Sequence, residues 1–216
     1  MNRNAMITAS WHAIWTALAL AAPSALLAQL LAAWREPQRH YHTLQHLAEC
    51  LGLFDSLRDA AEHPIEIELA LWFHDAVYDV HAHDNEARSA QWAVEALGAA
   101  GVDAERCQCI HDLIMATCHT ALPATPDAAL LVDIDLAILG APDARFAEYE
   151  RQIRAEYAWV PQDIYVVKRQ AVLQSFLDRE QIYTTPTVRH RLEQRARDHL
   201  SAAIASVQVH VPSPPT

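Results

Sequence analysis

The feature that most constrains this chain is a strongly apolar segment that ends in two polar groups, residues 69–79 with the sequence LALWFHDAVYD. A segment this apolar is expected in a hydrophobic core, so it carries His74 and Asp75 to the edge of that core. A buried carboxylate is costly unless it is paired or bound to a cation. Adjacent His and Asp also occur by chance, as at His111 and Asp112, so the dipeptide alone favours a simple ion pair. The surrounding sequence has to show whether His74 and Asp75 form only an ion pair or belong to a site that binds a cation.

Residues that form turns are scarce in this sequence. Only four of the 216 residues are glycine, whereas Ala, Leu, Gln, Glu and Arg recur in long runs without the Gly/Asn clusters that join short strands. With 52% hydrophobic residues, the chain is long enough to bury one sizeable core. We therefore predict one all-α domain of roughly eight to ten helices.

The N-terminal region, residues 1–38, is apolar enough to be mistaken for a membrane or export signal. Its most apolar part, residues 16–33, is interrupted by Pro23, and its apolar residues recur at the spacing of two amphipathic helices. We expect these helices to pack on a core formed by residues 39–207, followed by a flexible tail at 208–216. Neither membrane insertion nor export is expected.

Capping residues predict where several helices begin. Thr43 is a predicted N-cap, and Pro64 suits the first turn of the helix that leads to His74, whose apolar stripe continues to Ala76. A further short apolar helix is predicted over residues 128–139. Polar candidate residues lie on or beside each of these helices, so their relative positions matter for function.

Charge and cysteine usage narrow the classes of partner. The formal net charge is −11, which disfavours binding to nucleic acid, because proteins that bind it need a basic face. The four cysteines lack the spacing of a zinc knuckle, since Cys107 and Cys109 are too close and no second pair follows. We predict a cytoplasmic protein with reduced thiols and with no membrane or nucleic-acid partner. The oligomeric state stays open, and a homodimer is compatible with the sequence.

Polar residues recur at positions that could share one metal ion. His42 and His46 are four residues apart, so on one helix they share a face. His74 and Asp75 follow, and Asp135 comes later inside another apolar helix. Two histidines and two carboxylates would leave a divalent cation with open coordination positions, which favours a catalytic site over a structural one.

The order of these residues resembles the HD-domain superfamily of metal-dependent phosphohydrolases, whose fold is a helical bundle. The segments RHYHTLQH, WFHDAVYD, DNEARSA, LIMATCH, DIDLAILG, IRAEY and ARDHL, spread over residues 39–200, look like a bacterial group of predicted phosphohydrolases without an assigned substrate. The resemblance implies that one divalent cation, Mn, Co, Fe, Mg or Zn, is bound by His46, His74, Asp75 and Asp135. Asp135 is preferred because Asp-Leu-Ala aligns with the superfamily's Ala-Asp-x-Leu pattern, and Asp133 remains the alternative.

The resemblance also implies catalytic roles. Residues 41–46 are similar to class I cyclic nucleotide phosphodiesterases, in which the histidine at the position of His42 is proposed to protonate the leaving oxygen. Asp79 lies where the ppGpp-hydrolysing branch has Glu-Asp beside the attacking water, although Tyr78 stands in place of that Glu and argues against this substrate. The implied reaction is hydrolysis of a phosphoester in a small, nucleotide-like molecule by a metal-activated water.

Further residues are candidates on their own chemistry, each with a plain structural alternative. Glu86 could orient water, but an acidic residue in the first turn also stabilises any helix N-terminus. Arg39 and Arg154 could bind a phosphate through paired N–H groups, although Arg154 also fits a salt bridge with Glu156. His119 could contact the phosphate or the metal, or could be a surface histidine.

Two other classes of function stay open at this stage. An HD-fold diiron oxygenase would need two more histidine ligands, for which His83 and His119 are candidates, although His83 falls in a predicted loop. A non-catalytic binding or regulatory module on an HD scaffold is the third class. The presence of suitable residues at all four ligand positions argues against it.

Overall fold

The computed structural model of this protein describes residues 3–119 and 121–208, so residues 209–216 of the predicted tail lie outside it. The described residues contain ten α-helices and no β-strand. The helices are α1 (Arg3–Ala17), α2 (Ser24–Ala33), α3 (Leu44–Asp55), α4 (Pro64–Phe73), α5 (Asn85–Ala99), α6 (Ala104–Ala116), α7 (Pro126–Asp135), α8 (Asp143–Glu156), α9 (Gln162–Leu177) and α10 (Pro186–Gln208). The prediction of an all-α protein with eight to ten helices is confirmed. Among the helices described, none is both long and apolar enough to cross a membrane.

Two helices begin where Thr43 and Pro64 predict, and a third has an N-cap of the same kind. The side chain of Thr43 accepts a hydrogen bond from the N–H of Gln45 at 3.2 Å, so α3 begins at the next residue. Pro64 occupies the first turn of α4, where its missing N–H breaks no helical hydrogen bond. Asp103 caps α6 by accepting from the N–H of Arg106 at 2.9 Å. Local chemistry is therefore sufficient to place these helix starts.

The chain divides into two compact units, the first ending at Asp135 and the second beginning at Leu136. The predicted organisation, in which residues 1–38 pack on a core formed by residues 39–207 within one domain, stays a prediction. In the first unit α4 is the central helix, since every residue from Glu66 to Phe73 is buried. Helices α1, α3, α5, α6 and α7 all pack against α4.

Tryptophan side chains hold α1 and α4 together. The rings of Trp11 and Trp72 meet edge to face with their centroids 5.0 Å apart. The indole N–H of Trp72 donates to the hydroxyl of Ser10, and that of Trp34 donates to the carbonyl of Trp72 at 3.0 Å. Each of these two hydrogen bonds offsets the cost of burying an indole N–H. These contacts fix the end of α4 at the point where the His-Asp pair follows.

Two helix ends differ from the prediction. The apolar pattern predicts that α4 continues for three residues beyond Phe73, but the helix ends there and His74 and Asp75 lie in the turn that follows. The helix predicted over residues 128–139 also ends early, at Asp135, where the chain tightens into a 3-10 helix. Candidate ligands therefore lie at helix ends, where side chains are not held to the 100° spacing of a continuous helix.

The second unit consists of the 3-10 helix Leu136–Gly140 followed by α8, α9 and α10. Two side chains of α10 bind the backbone of this 3-10 helix. Arg195 donates to the carbonyl oxygen of Gly140 at 2.7 Å, and the ring of His199 donates to the carbonyl oxygen of Leu139 at 2.9 Å. Gly140 is required by this close approach, because a Cβ there would lie 2.7 Å from Cβ of Leu192. A cleft of about 440 Å³ lies between α8, α9 and α10.

Candidate metal centre

Four side chains of the first unit converge at one point, and we call them the His-Asp cluster. His46 lies in the first turn of α3, His74 and Asp75 directly follow α4, and Asp135 is the last residue of α7. Each offers one ligand atom, and the four atoms lie within 4.8 Å of one another. The structure thus brings together the four residues that the sequence predicts as ligands.

The separations within the cluster match those of ligands around a single ion. Nε2 of His46 lies 3.1 Å from Nε2 of His74 and 3.1 Å from Oδ1 of Asp135. Oδ2 of Asp75 lies 3.1 Å from Nε2 of His74 and 3.5 Å from Nε2 of His46. Ligand atoms about 2.1 Å from a cation are about 3.0 Å apart at right angles and about 3.4 Å apart at tetrahedral angles. The cluster therefore has the dimensions of a coordination shell.

Both imidazoles turn Nε2 toward the cluster. Nδ1 of His74 lies 2.9 Å from the carbonyl oxygen of Leu71 and donates to it, so Nε2 of the neutral ring carries a lone pair. His46 presents the same atom, while the thiol of Cys50, one helical turn further on, lies 3.7 Å from its Nδ1. Two ring nitrogens consequently face each other across the cluster.

Both carboxyl groups of the cluster are held in their charged form. Burial disfavours the charged form of each group, but the interactions among them outweigh it. The pKa of Asp75 is lowered by His74 and His42, and the pKa of Asp135 is held well below its usual range by hydrogen bonds from the surrounding histidine rings. In turn, Asp75 and Asp135 raise the pKa of His74 well above its usual range.

His119 adds a fifth side chain at the edge of the cluster. Its Nε2 lies 3.1 Å from Oδ2 of Asp135, whereas the two ligand histidines face Oδ1. The backbone of His119 has φ 54°, a left-handed conformation that costs a non-glycine residue about 1–2 kcal/mol. His119 thus contacts Asp135 at the edge of the cluster, and its predicted contact with the phosphate or the metal stays a prediction.

Arg39 has a different position from the one expected of a phosphate contact. Its side chain is 0% exposed, and its guanidinium donates to the carbonyl oxygens of His42, Asp75 and Ala76 at 3.3, 2.6 and 2.9 Å. Its Nε pairs with Glu36 at 2.9 Å. A phosphate-binding role does not fit this arrangement, because the donors are already engaged. Arg39 instead joins the segment before α3 to the turn that carries Asp75.

The predicted proton donor, His42, lies beside the cluster. Its ring stacks on Tyr78 with centroids 4.0 Å apart and lies 6.0 Å from the ring of His46. The guanidinium of Arg39 lies 5.5 Å from the centroid of Tyr78. His42 is only partly buried, so a ligand could reach it. Its catalytic role stays a prediction.

The two carboxylates predicted to orient water have local partners. Asp79 is exposed, and its Oδ1 accepts from the N–H of His81 at 2.9 Å, which shapes the loop before α5. Glu86 lies in the first turn of α5, where it complements the helix dipole. Neither carboxylate belongs to the His-Asp cluster. Their predicted roles stay predictions.

Three other candidates lie outside the His-Asp cluster. Arg154 belongs to the second unit and donates to the carbonyls of Tyr157 and Val160 at the end of α8, so its donors serve that helix terminus rather than a phosphate clamp. His83 is exposed in a loop. Asp133 is buried two residues before the convergent carboxylate, on a different side of α7, and Asp135, not Asp133, contributes the ligand atom.

A second group of potential ligands, which we call the Asp127 group, was not predicted. The ligand atoms of Glu62, His63 and Asp127 also lie within 4.8 Å of one another. The buried Asp127 carboxylate accepts from the N–H of Glu62 at 2.8 Å, and from the N–H and ring Nδ1 of His63 at 2.8 and 2.9 Å. Asp127 is 65 residues from Glu62, so no local spacing pattern indicated this contact.

No protein-family model, curated protein or solved structure matches this chain. The resemblance to HD-domain proteins therefore still rests on the motifs alone. The interpretation of the site depends on its own geometry, which is that of two imidazoles and two ionised carboxylates able to hold a divalent cation.

Proposed function

We propose that the His-Asp cluster holds one divalent cation and that the protein is an HD-type phosphohydrolase acting on a small, nucleotide-like phosphoester. The observation that carries the proposal is the set of 3.1–3.5 Å separations between two ring nitrogens and two carboxylate oxygens from three separate segments of the chain. The net charge of −11 supports a small substrate rather than a long nucleic acid.

A buried ion pair accounts less well for the same geometry. Nδ1 of His74 is already used by the carbonyl of Leu71, and only one proton can lie between the facing Nε2 atoms of His46 and His74. A doubly charged cation would accept both lone pairs and neutralise both carboxylates. The mixture of imidazole and carboxylate favours Mn, Fe, Co or Zn over Mg, which prefers oxygen ligands and retains its water.

The cation would supply Lewis acidity and lower the pKa of a water molecule towards neutrality. In the reaction, water oxygen forms a bond to phosphorus, the ester P–O bond breaks, and the leaving oxygen takes up a proton. His42 is the candidate donor of that proton, because it is partly exposed beside the cluster and its ring is held by Tyr78. Asp79 and Glu86 are the sequence-based candidates to accept the proton that water loses.

The test is a phosphate-release screen of nucleotides and sugar phosphates with Mn, Fe, Co, Zn or Mg added. The expected result is metal-dependent release that is absent from His74→Ala. Asp127→Asn is the matched control, because it alters the Asp127 group without touching the His-Asp cluster, and it should retain activity per folded molecule. Release that persists in His74→Ala would contradict the proposal.

Elemental analysis of the same proteins separates the metal from the reaction. One bound cation with no phosphate release from any substrate would support the cluster but count against hydrolysis of a phosphomonoester. Two irons per chain with a mixed-valence spectrum would favour a diiron oxygenase instead.

A further inference from the structure

The helix α9 in the second unit exposes an unusual amount of apolar surface. In the described part of the chain five large hydrophobic side chains are exposed, and four of them lie within 14 residues on or just before α9. They are Trp159 at 55%, Ile164 at 48%, Val167 at 64% and Val172 at 46% exposure. With the small, exposed Ala171 between them, they form what we call the α9 face.

The exposed apolar residues of α9 lie on one side of the helix. Ile164, Val167 and Ala171 are spaced by three and four residues, so they follow one stripe. Leu173 is the one fully buried residue of α9, and it lies nine residues after Ile164, half a turn out of phase. The helix thus packs through one side and presents a second apolar side outward.

The size of the α9 face is that of an interface core. With full areas of roughly 250 Å² for Trp and 160–190 Å² for Val and Ile, the exposed fractions amount to on the order of 400 Å². A standard interface buries about 800 Å² on each partner, with an apolar core and a polar rim. The exposed side chains of Gln162, Lys168 and Gln174 border the α9 face and could supply that rim.

Charge indicates which partner this surface fits. The chain carries a net charge of −11, so two copies repel each other over most approaches. Residues 164–177 contain no Asp or Glu, and Arg169 in this stretch is turned inward and paired with Glu150. Lys168 is therefore the only exposed charged residue in this stretch. The exposed carboxylate of Asp163 lies in the first turn of α9, at one end of the α9 face. Two copies of this acidic chain can therefore meet at the centre of the face, around Val167, without opposing carboxylates there.

We propose that the α9 face is the two-fold interface of a homodimer. A two-fold axis requires only one self-complementary patch, since the same residues serve both partners. One helix per chain would lie against its copy, with Trp159, Ile164, Val167 and Val172 forming the core of the contact. The proposal is independent of the metal and of the reaction.

The test is the mass of the full chain in solution, measured by sedimentation velocity between roughly 1 and 100 µM. The expected mass is twice the 24.1 kDa of one chain. Val167→Asp places a carboxylate in the centre of the contact in both copies and should raise the dimer Kd by at least about 100-fold. Leu122→Asp is the matched control, because Leu122 is 80% exposed but does not belong to the α9 face, and it should leave the mass unchanged.

Two further measurements keep the test decisive. Far-UV circular dichroism shows whether Val167→Asp is folded, and if it is not, Lys168→Glu changes only an exposed side chain and should also weaken the dimer. A wild-type chain that is monomeric at 100 µM overturns the proposal. A dimer that survives both substitutions with unchanged Kd shows that another surface forms it, which also overturns the proposal.

Discussion

The first unit contains two groups of histidine and carboxylate side chains, and the lone pairs of the two groups face different partners. In the His-Asp cluster the nitrogens and oxygens of different side chains face one another at 3.1–3.5 Å. In the Asp127 group the carboxylate faces the backbone N–H groups of Glu62 and His63. Both groups meet the same distance criterion for a possible metal site. Proximity alone is therefore a weak indicator of metal binding.

The difference shows what separates a metal site from a structural contact. Asp127 fixes the chain before α4 to the start of α7, so its hydrogen bonds are satisfied without an ion. At Asp75 and Asp135, by contrast, neighbouring histidines lower the pKa of each carboxyl group, and the carboxylate oxygens face the ring nitrogens of the cluster. The cluster brings two ionised carboxylates and two imidazole nitrogens to one point, and this donor set is able to hold a divalent cation.

The largest expected effect is the loss of metal from His74→Ala. Removing one of four ligands should reduce bound cation from about one per chain to below about 0.1, as measured by elemental analysis after dialysis. Asp127→Asn should keep the full amount. The reverse pattern, in which Asp127→Asn loses the metal and His74→Ala keeps it, would mean that the two groups have been assigned the wrong way round.

The next effect is on folding rather than on metal. Asp127→Ala leaves the N–H groups of Glu62 and His63 without their acceptor and should lower the free energy of unfolding by about 2 kcal/mol. Urea denaturation of the metal-free protein measures this change. An unchanged midpoint would show that water replaces the carboxylate without cost, and Asp127 would then have no structural role.

A smaller effect is expected at Arg39, which links the segment before α3 to the turn after α4. Lysine keeps the charge but cannot serve three carbonyl oxygens in a fixed plane, so Arg39→Lys should weaken metal binding by about 10-fold. Arg154→Lys is the control, because Arg154 also binds backbone carbonyls but belongs to the second unit. Competition with a chelator measures both, and equal effects would exclude a specific role of Arg39.

The smallest effect concerns pH. The hydrogen bond that the ring of His63 donates to the carboxylate of Asp127 raises the pKa of His63 above its usual value of 6.5. The stability gained from protonated His63 is therefore complete below about pH 6.5 and is lost as pH rises through the higher pKa of the folded state. The imidazole is 60% exposed, so salt should reduce the effect further. Urea midpoints of wild type and His63→Gln, compared from pH 5.5 to 9, should converge at high pH, and a constant difference would contradict this account.

The sequence predicted the features that depend on local order. Helix starts at Thr43 and Pro64 follow from capping chemistry, whereas the set of predicted ligands came from the resemblance to HD-domain motifs, because spacing alone does not single them out. The role of Arg39 could not be predicted, since its partners are carbonyl oxygens that carry no sequence signal. The hydrogen bonds of Asp127 and the unit boundary at Asp135 likewise depend on contacts between distant segments, which helical periodicity does not report.

The backbone of His119 has a consequence for how this position tolerates substitution. Glycine would adopt its φ of 54° without strain, and replacing His119 by glycine would relieve about 1 kcal/mol of backbone energy. Stability alone would therefore favour glycine there, unless the contact between the ring and Asp135 is worth more than the strain. A His119→Gly protein could be as stable as wild type and still bind the cation more weakly. That result would show that the side chain of His119 serves cation binding, although the backbone conformation at this position favours glycine.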